Sequence, residues 1–250
     1  MTAMRPGGGG GASSVAAADI TDITATGEAL VTAANAAAAR TAISAAQDGA
    51  APSVTSSPMT GSGWSNIAGS GTHTETWASS KLTLTLGSGG AASGGVSRAD
   101  FRSVALSGGA AIRVDVITGD GGSQRQVYLA LGKDASNGPA LALYGDGTLN
   151  ASVTIGGSYA LLGTSSTAAS RTDGTLWLAI KFDGGVLAWM WGTGSGSAMP
   201  TTWTIFFTTT TASTLSACAG TFGQIGVVTG TGIAWSVDVL SIATFLPGAV

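Results

Sequence analysis

Lys81-Leu-Thr-Leu-Thr-Leu86 and Ala111-Ile-Arg-Val-Asp-Val-Ile117 are the two stretches whose pattern decides the fold of this chain. In both, large aliphatic residues alternate with polar ones, so an extended strand would have one apolar and one polar face. In the second stretch the aliphatic side chains point inward, while Arg113 and Asp115 point outward. The alternation therefore predicts β-strands that each bury a single face against a core.

Further segments with strand character follow, and turns rich in glycine and aspartate separate them. The additional strands are predicted at Arg125–Leu131, Ala140–Tyr144, Leu149–Ile155, Leu176–Phe182, Val186–Trp191, Trp203–Phe207, Phe222–Val228 and Ile233–Phe245. About ten strands without a helical period are typical of an antiparallel β-sandwich or jelly roll. The chain is accordingly predicted to be mainly β, with short helices only near its N-terminus.

Residues 22–46 form the one segment with helix-forming, alanine-rich composition. Thr26 and Asn35 are N-cap residues, which predicts two short helices broken near Asn35. Such short helices are marginal in water and need a partner. That partner is either the domain that follows or further copies of the chain. For self-association the interface would comprise the large apolar residues Ile23, Leu30, Val31 and Ile43.

Two linker-like regions divide the rest of the chain. Residues 1–21 contain five consecutive glycines and are predicted as a Gly-rich tail. Residues 47–63, which include Pro52 and Pro58, are predicted as a linker between the helical segment and the sandwich. The β-sandwich domain is then predicted to occupy residues 64–250.

The alanine-rich run resembles a segment that recurs near the N-terminal ends of bacteriophage fibre proteins. It reads Ala25-Thr-Gly-Glu-Ala-Leu-Val-Thr-Ala-Ala-Asn-Ala-Ala-Ala-Ala-Arg-Thr-Ala-Ile43 and departs from the usual pattern at Val31 and Ser44. The resemblance implies a virion protein, made in the host cytoplasm and usually a homotrimer, that binds other virion proteins. The docking contacts would come from the tail, through Arg5, Pro6, Gly7, Gly8 and Gly9.

Four segments further along the chain are similar to concanavalin-like lectin/glucanase sandwiches. They are Gly174-Thr-Leu-Trp-Leu-Ala-Ile-Lys-Phe-Asp-Gly-Gly-Val-Leu-Ala-Trp-Met-Trp191, Trp203-Thr204, Phe222-Gly-Gln-Ile-Gly-Val227 and Val237-Asp-Val-Leu-Ser-Ile242. In that family a tryptophan-bearing strand, a glycine hairpin, a second aromatic strand and a late F-G-x-x-G strand recur. The resemblance implies a two-sheet jelly roll and, by analogy, a face for binding sugars. Fold alone does not establish function.

Trp189 and Trp191 lie two residues apart, so they share one face of their strand. On an exposed concave sheet they would stack against sugar rings, and together with Tyr144 they are the predicted glycan-binding residues. On the inner face they would belong to the core. The neighbouring strand, Leu176–Phe182, has two apolar-leaning faces, which indicates that the opposite sheet covers one and another subunit the other.

Candidate catalytic and metal-binding residues are scarce. Glucanases of this fold carry paired carboxylates in an E-x-D-x-E arrangement, and retaining enzymes place them about 5–5.5 Å apart. The glutamates of this chain are Glu28 and Glu75, which stand far apart in sequence, and its one histidine is His73. Asp120 and Asp146 are isolated acids in turns, fewer than a calcium site requires. The chain is predicted not to be an enzyme and to need no cofactor.

Charge and hydropathy exclude further classes. Charged residues make up 9% of the chain, the net charge is −3, and no basic cluster occurs, which argues against a nucleic-acid partner. No apolar run approaches the roughly 18 residues of a membrane span, so membrane insertion is not expected. The mean hydropathy of +0.36 is typical of a chain that hides surface in an assembly. Cys218 is the single cysteine, so no disulfide forms within one chain.

Together these features predict a trimeric structural protein of a phage virion, a tail fibre or spike whose sandwich projects outward to contact a host-surface glycan. A head fibre or capsid decoration protein of the same design is an alternative. A free carbohydrate-binding module is another, and it predicts a monomer whose binding to a soluble glycan is lost on Trp191→Ala.

Overall fold

The computed structural model describes most of the chain beyond residue 55. It covers residues 56–245 except 79, 102–107, 119–123, 167–172, 184, 195–197, 218 and 231–232. These residues all belong to the unit Ala51–Val250. The predicted tail, the predicted helical segment and the docking and interface residues assigned to them lie outside the described residues, so those assignments stay predictions.

Strands dominate the described ranges. They are β1 (Ser57–Pro58), β2 (Ser65–Asn66), β3 (His73–Ala78), β4 (Lys81–Leu86), β5 (Ala92–Arg98), β6 (Gly108–Thr118), β7 (Arg125–Gly132), β8 (Gly138–Tyr144), β9 (Thr148–Ile155), β10 (Ser158–Ser166), β11 (Leu176–Asp183), β12 (Val186–Thr193), β13 (Thr204–Thr209), β14 (Phe222–Thr229) and β15 (Trp235–Phe245). One short helix, α1 (Ala212–Ala217), separates β13 from β14. Within the described ranges no helix is long and apolar enough to cross a membrane.

The strands form two antiparallel sheets. The eight-stranded sheet has the order β13-β12-β11-β6-β15-β4-β3, with β1 also paired to β15. The seven-stranded sheet has the order β10-β9-β8-β7-β14-β5-β2. Their inner faces share one hydrophobic core, so the predicted antiparallel β-sandwich is confirmed.

The alternation seen in the sequence places one face of each central strand in that core. In β4 the three leucines are buried and the intervening polar residues are partly exposed. In β7, which belongs to the opposite sheet, the residues Val127, Leu129 and Leu131 are buried in the same core. The two sheets are also linked by a hydrogen bond, because the indole Nε1 of Trp189 in β12 donates to the carbonyl of Ala140 in β8 at 2.9 Å. Burial of these aliphatic and aromatic groups is the main stabilising term.

Residues 57–59 belong to the sandwich and not to a linker. Ser57 pairs with Ile242 of β15, and Met59 is fully buried in the core. The predicted boundary at Trp64 is therefore wrong at its N-terminal side. The serine- and proline-rich composition of this stretch hides a single apolar anchor, which sequence patterning does not detect.

Strands β1, β2, β3, β5 and β10 are absent from the sequence prediction, and β5 shows why. Its centre holds Gly94 and Gly95, residues that normally argue against a strand. A Cβ at Gly95 would lie 2.3 Å from the carbonyl oxygen of Ile225, so glycine lets β5 approach β14 closely. The glycines that let β5 fit against β14 are also the reason why its sequence does not look like a strand.

The outer face of the eight-stranded sheet is partly covered by the chain itself. Trp177, Ala179 and Met190 form a second buried apolar cluster, and Met199 and Trp203 pack on it. The sequence predicted that another subunit covers this face. Met199 and Trp203, which lie between β12 and β13, take that place here.

Candidate functional site

The outer face of the seven-stranded sheet carries aromatic and amide side chains above a floor of small residues. Across the sheet, Tyr128 stands opposite Ala142 and Gly226. Asn150 stands opposite Ala142 on one side and Thr164 on the other. A Cβ at Gly226 would lie 2.4 Å from the Tyr128 hydroxyl, so the small residues leave the space that the Tyr128 side chain occupies.

A hydrogen-bonded group lies at one end of this face. The hydroxyl of Thr164 donates to Asn150 Oδ1 at 3.0 Å, and the Asn150 side chain is hydrogen bonded to Tyr144. With Thr148, these residues line an open depression of about 260 Å³. The depression therefore combines an aromatic ring with an amide and two hydroxyl side chains.

Tyr159 and Leu161 of β10 lie on the same face and are open to solvent. Tyr159 is 62% exposed and Leu161 is 52% exposed. They stand opposite Thr154 and Ser152, which share the outward direction of Asn150 along β9. We call the group Tyr144, Thr148, Asn150, Tyr159 and Thr164 the tyrosine face.

Two tyrosines of this sheet, Tyr144 and Tyr128, have phenols whose pKa is raised, so both are protonated at neutral pH. Burial raises the pKa of the Tyr144 phenol, the charge of Tyr159 adds to the rise, and the hydrogen bond with Asn150 works against it. Burial also raises the pKa of Tyr128, whose hydroxyl accepts a hydrogen bond from Gln224 Nε2 at 2.5 Å. Each phenol is thus a neutral hydroxyl group that can both donate and accept.

The three residues predicted to bind glycan do not come together. Tyr144 lies on the tyrosine face, whereas Trp189 is fully buried between the sheets and packs at 5.6 Å, edge on, against Phe207. Trp191 is half-buried and packs on the same core. The sequence analysis left two positions open for Trp189 and Trp191, an exposed sugar-binding face and the core. The structure places both tryptophans at the core. A buried ring offers no face to a sugar, so the buried position of Trp189 contradicts its use as a platform.

A polar cluster occupies the outer face of the eight-stranded sheet. Asp238 is buried, forms a salt bridge with Lys81 and accepts a hydrogen bond from Thr83 at 2.5 Å. Asp115 stands directly opposite Asp238 in register. Burial raises the pKa of Asp115, and the charges of Asp238 and Asp173 raise it further. The sequence alone does not reveal that Asp115 and Asp238 lie side by side, because this depends on the register of two strands that are distant in the chain.

His73 and Glu75 lie where β3 approaches β5. Glu75 Oε1 accepts a hydrogen bond from the Gly95 amide at 2.9 Å and lies 3.7 Å from His73 Nε2. A Cβ at Gly94 would lie 2.5 Å from the His73 ring. These contacts join the two sheets at one edge and so have a structural role. In the described part of the chain, no group of three or more acidic, histidine or cysteine side chains could hold a metal ion.

Solved structures share this architecture, although no protein-family model and no curated protein sequence matches the chain. The carbohydrate recognition domain of Emp47p superposes with a TM-score of 0.56 and 10% identity, covering 80% of this chain and 99% of that domain. The exoplasmic/lumenal domain of VIP36 in its Ca²⁺-bound form gives 0.53 and 14%, covering 76% and 89%. The Ca²⁺/Man3GlcNAc-bound form of VIP36 gives 0.52 and 14%, covering 75% and 85%.

At these identities the likeness concerns the fold alone. The chain has a lectin-like β-sandwich fold, which confirms the predicted fold class. What the fold does in this chain must be argued from its own residues.

Proposed function

We propose that this chain is a carbohydrate-binding protein and that the tyrosine face is its glycan site. The observation that carries the proposal is the open depression in which Tyr144, Asn150 and Thr164 are held together by hydrogen bonds. The presence of a carbohydrate recognition domain and of a Man3GlcNAc-bound form among proteins of the same fold supports it.

The chemistry of a sugar ring fits this arrangement. A pyranose has an apolar C–H face, which packs on an aromatic ring, and a rim of hydroxyl groups, which pair with amides and hydroxyls. Tyr144 and Tyr159 supply rings, and Asn150 and Thr164 supply polar partners. Each hydrogen bond contributes about 0.5–1.5 kcal/mol net. A dissociation constant of about 1 mM corresponds to about 4 kcal/mol of binding free energy, so several such hydrogen bonds together with ring packing are needed to reach it.

A glycan array followed by calorimetric titration tests the proposal. The array identifies an oligosaccharide, and its affinity is then measured for the full chain and for Tyr144→Ala. The matched control is Thr76→Ala, because Thr76 is exposed on β3 of the other sheet. We expect Tyr144→Ala to weaken binding at least about tenfold, a change of about 1.4 kcal/mol, and Thr76→Ala to leave it unchanged. Absence of any glycan ligand would overturn the proposal.

We propose binding without hydrolysis. A glycosidase of the usual kind needs two carboxylates flanking the scissile bond. Beside the tyrosine face, in the described ranges, Asp146 is the nearby acid, and its Oδ1 accepts a hydrogen bond from the Thr148 amide at 2.9 Å. Prolonged incubation with the bound oligosaccharide is expected to release no shorter product, and chromatography of the mixture checks this.

The proposed setting of this site is a phage fibre, on the strength of the resemblance over Ala25–Ile43 alone. In that setting the sandwich is a knob of a homotrimer on the virion, on the tail or on the capsid, and it binds a host-surface glycan. Light scattering distinguishes this from a free carbohydrate-binding module. The fibre has three times the mass of the 24.2 kDa chain, whereas the free module has the mass of one chain.

A further inference from the structure

The tyrosine face is oriented by hydrogen bonds within the protein. Asn150 Oδ1 accepts from Thr164, and the same side chain is hydrogen bonded to Tyr144. Because one end of the amide is held by Thr164, its orientation is set before a ligand arrives. The amide nitrogen of Asn150 has two N–H donors, so one is left for a sugar hydroxyl beside the hydrogen bond with Tyr144, and the Thr164 oxygen has a further lone pair.

The side chains that line the depression are uncharged. They are Tyr144, Thr148, Asn150 and Thr164. One charged group acts on the depression from outside its lining. This group is the exposed Asp146, whose negative charge contributes to the raised pKa of Tyr144. A sugar bearing a carboxylate or sulfate would be repelled by this nearby charge and would find no lysine or arginine among the lining residues. An unpaired charge of this kind discriminates against a ligand.

The donor set around the face does not suit calcium. Calcium takes six to eight oxygen ligands, several of them carboxylates. Asp146 already accepts a hydrogen bond from the Thr148 amide, and the residues that line the depression include no acid. VIP36, by contrast, has the same fold and was solved in Ca²⁺/Man3GlcNAc-bound form.

We propose that the tyrosine face selects uncharged sugars and binds them without a divalent cation, with Asn150 as the residue that holds a sugar hydroxyl and Asp146 as the charge that disfavours acidic sugars. The inference rests on the proposed glycan binding and deepens it. The order of events is simple: Thr164 and Tyr144 hold the amide, the amide meets a neutral hydroxyl, and the aromatic rings pack against the sugar.

Calorimetric titration of the full chain in EDTA and again in excess CaCl₂ tests the cation requirement. The probe is the best neutral oligosaccharide from the array. We expect the two dissociation constants to agree within about twofold. Binding that is lost in EDTA and restored by calcium overturns this inference but leaves glycan binding standing. Absence of binding in both conditions overturns the proposed function as well.

A matched pair of charge-adding variants tests the role of Asn150. Asn150→Asp keeps the shape of the side chain but removes its N–H donors and adds a negative charge. Thr76→Asp adds the same charge on the other sheet. We expect Asn150→Asp to weaken the neutral oligosaccharide about tenfold or more, and Thr76→Asp to have no effect.

Thermal melting of each variant shows that the fold is intact, and Asn150→Ser provides a second, uncharged substitution. Wild-type affinity in both Asn150 variants overturns the assignment. On the array, we expect neutral glycans to bind and their sialylated or uronic-acid counterparts to bind at least about tenfold more weakly. Equal binding of the acidic counterparts overturns the selection of uncharged sugars.

Discussion

The outer faces of the two sheets carry similar residue types but differ in their exposure to solvent. Both carry aromatic side chains pointing away from the shared core. On the eight-stranded sheet Trp177 is fully buried, because Trp203 and its neighbours pack over it. On the seven-stranded sheet Tyr159 and Leu161 remain more than half exposed. Whether an outward aromatic residue is buried or exposed therefore depends on what packs over it, as Trp203 packs on the cluster that contains Trp177.

The largest expected effect is on the covered face. Trp177→Ala removes a fully buried indole from the second apolar cluster. We expect the free energy of unfolding to fall by about 3–5 kcal/mol, the usual cost of such a truncation. Urea denaturation followed by fluorescence measures it. A loss below about 1 kcal/mol would mean that this face is not a closed second core.

A smaller effect is expected in the polar half of the same face. Lys81→Met leaves the buried carboxylate of Asp238 without its charged partner. We expect the free energy of unfolding to fall by about 1–3 kcal/mol, since Lys81 itself is partly exposed. Adding Asp238→Asn should restore part of the loss. Equal stability of wild type and Lys81→Met, in the same denaturation experiment, would contradict the assignment.

The carboxyl group of Asp115, in the same polar cluster, is expected to make the free energy of unfolding depend on pH. Burial, with the charges of Asp238 and Asp173, raises its pKa above the unfolded value. The charged form is therefore penalised in the folded state, and the penalty grows as pH rises through the interval between the two pKa values. We expect Asp115→Asn to stabilise the protein at pH 7 and to have no such effect at a pH below both values. Melting curves at both pH values check this, and a gain confined to low pH would contradict it.

The smallest effect on stability is expected on the open face. Tyr159→Ala removes a side chain that is mostly in solvent, so the free energy of unfolding should change by no more than about 0.5 kcal/mol. Glycan affinity should nevertheless fall severalfold, because an aromatic contact contributes about 0.5–1.5 kcal/mol. Denaturation and titration of one preparation give both numbers. A large loss of stability would show that this ring is part of the fold.

The alternation of apolar and polar residues predicts most strands of the fold but few residues of the candidate site. The leucines of Lys81–Leu86 predict β4 with the bounds observed, because alternation is a local property. β5 escaped prediction, since the close approach of Gly95 to β14 is a contact between residues distant in sequence. The composition of Ser57–Met59 likewise concealed its place in the sandwich.

The candidate site depends on contacts between strands, and the sequence of a single strand does not reveal these contacts. Tyr144 was singled out from sequence, but Asn150 and Thr164 were not, because only the register of β9 with β10 brings them together. Trp189 and Trp191 share a face, as the two-residue spacing predicts, yet spacing does not say whether that face is inner or outer. The only sequence signal for the tyrosine face is the outward set of polar residues in β9.

The most direct test of the central claim is a map of where sugar binds. An isotope-labelled chain is titrated with the best neutral oligosaccharide from the array while backbone amide shifts are recorded by NMR. We expect the changes to centre on Tyr144, Asn150 and Thr164 and to extend along β10. Changes confined to the outer face of the eight-stranded sheet, around Asp115 and Asp238, would contradict the claim that the tyrosine face is the glycan site.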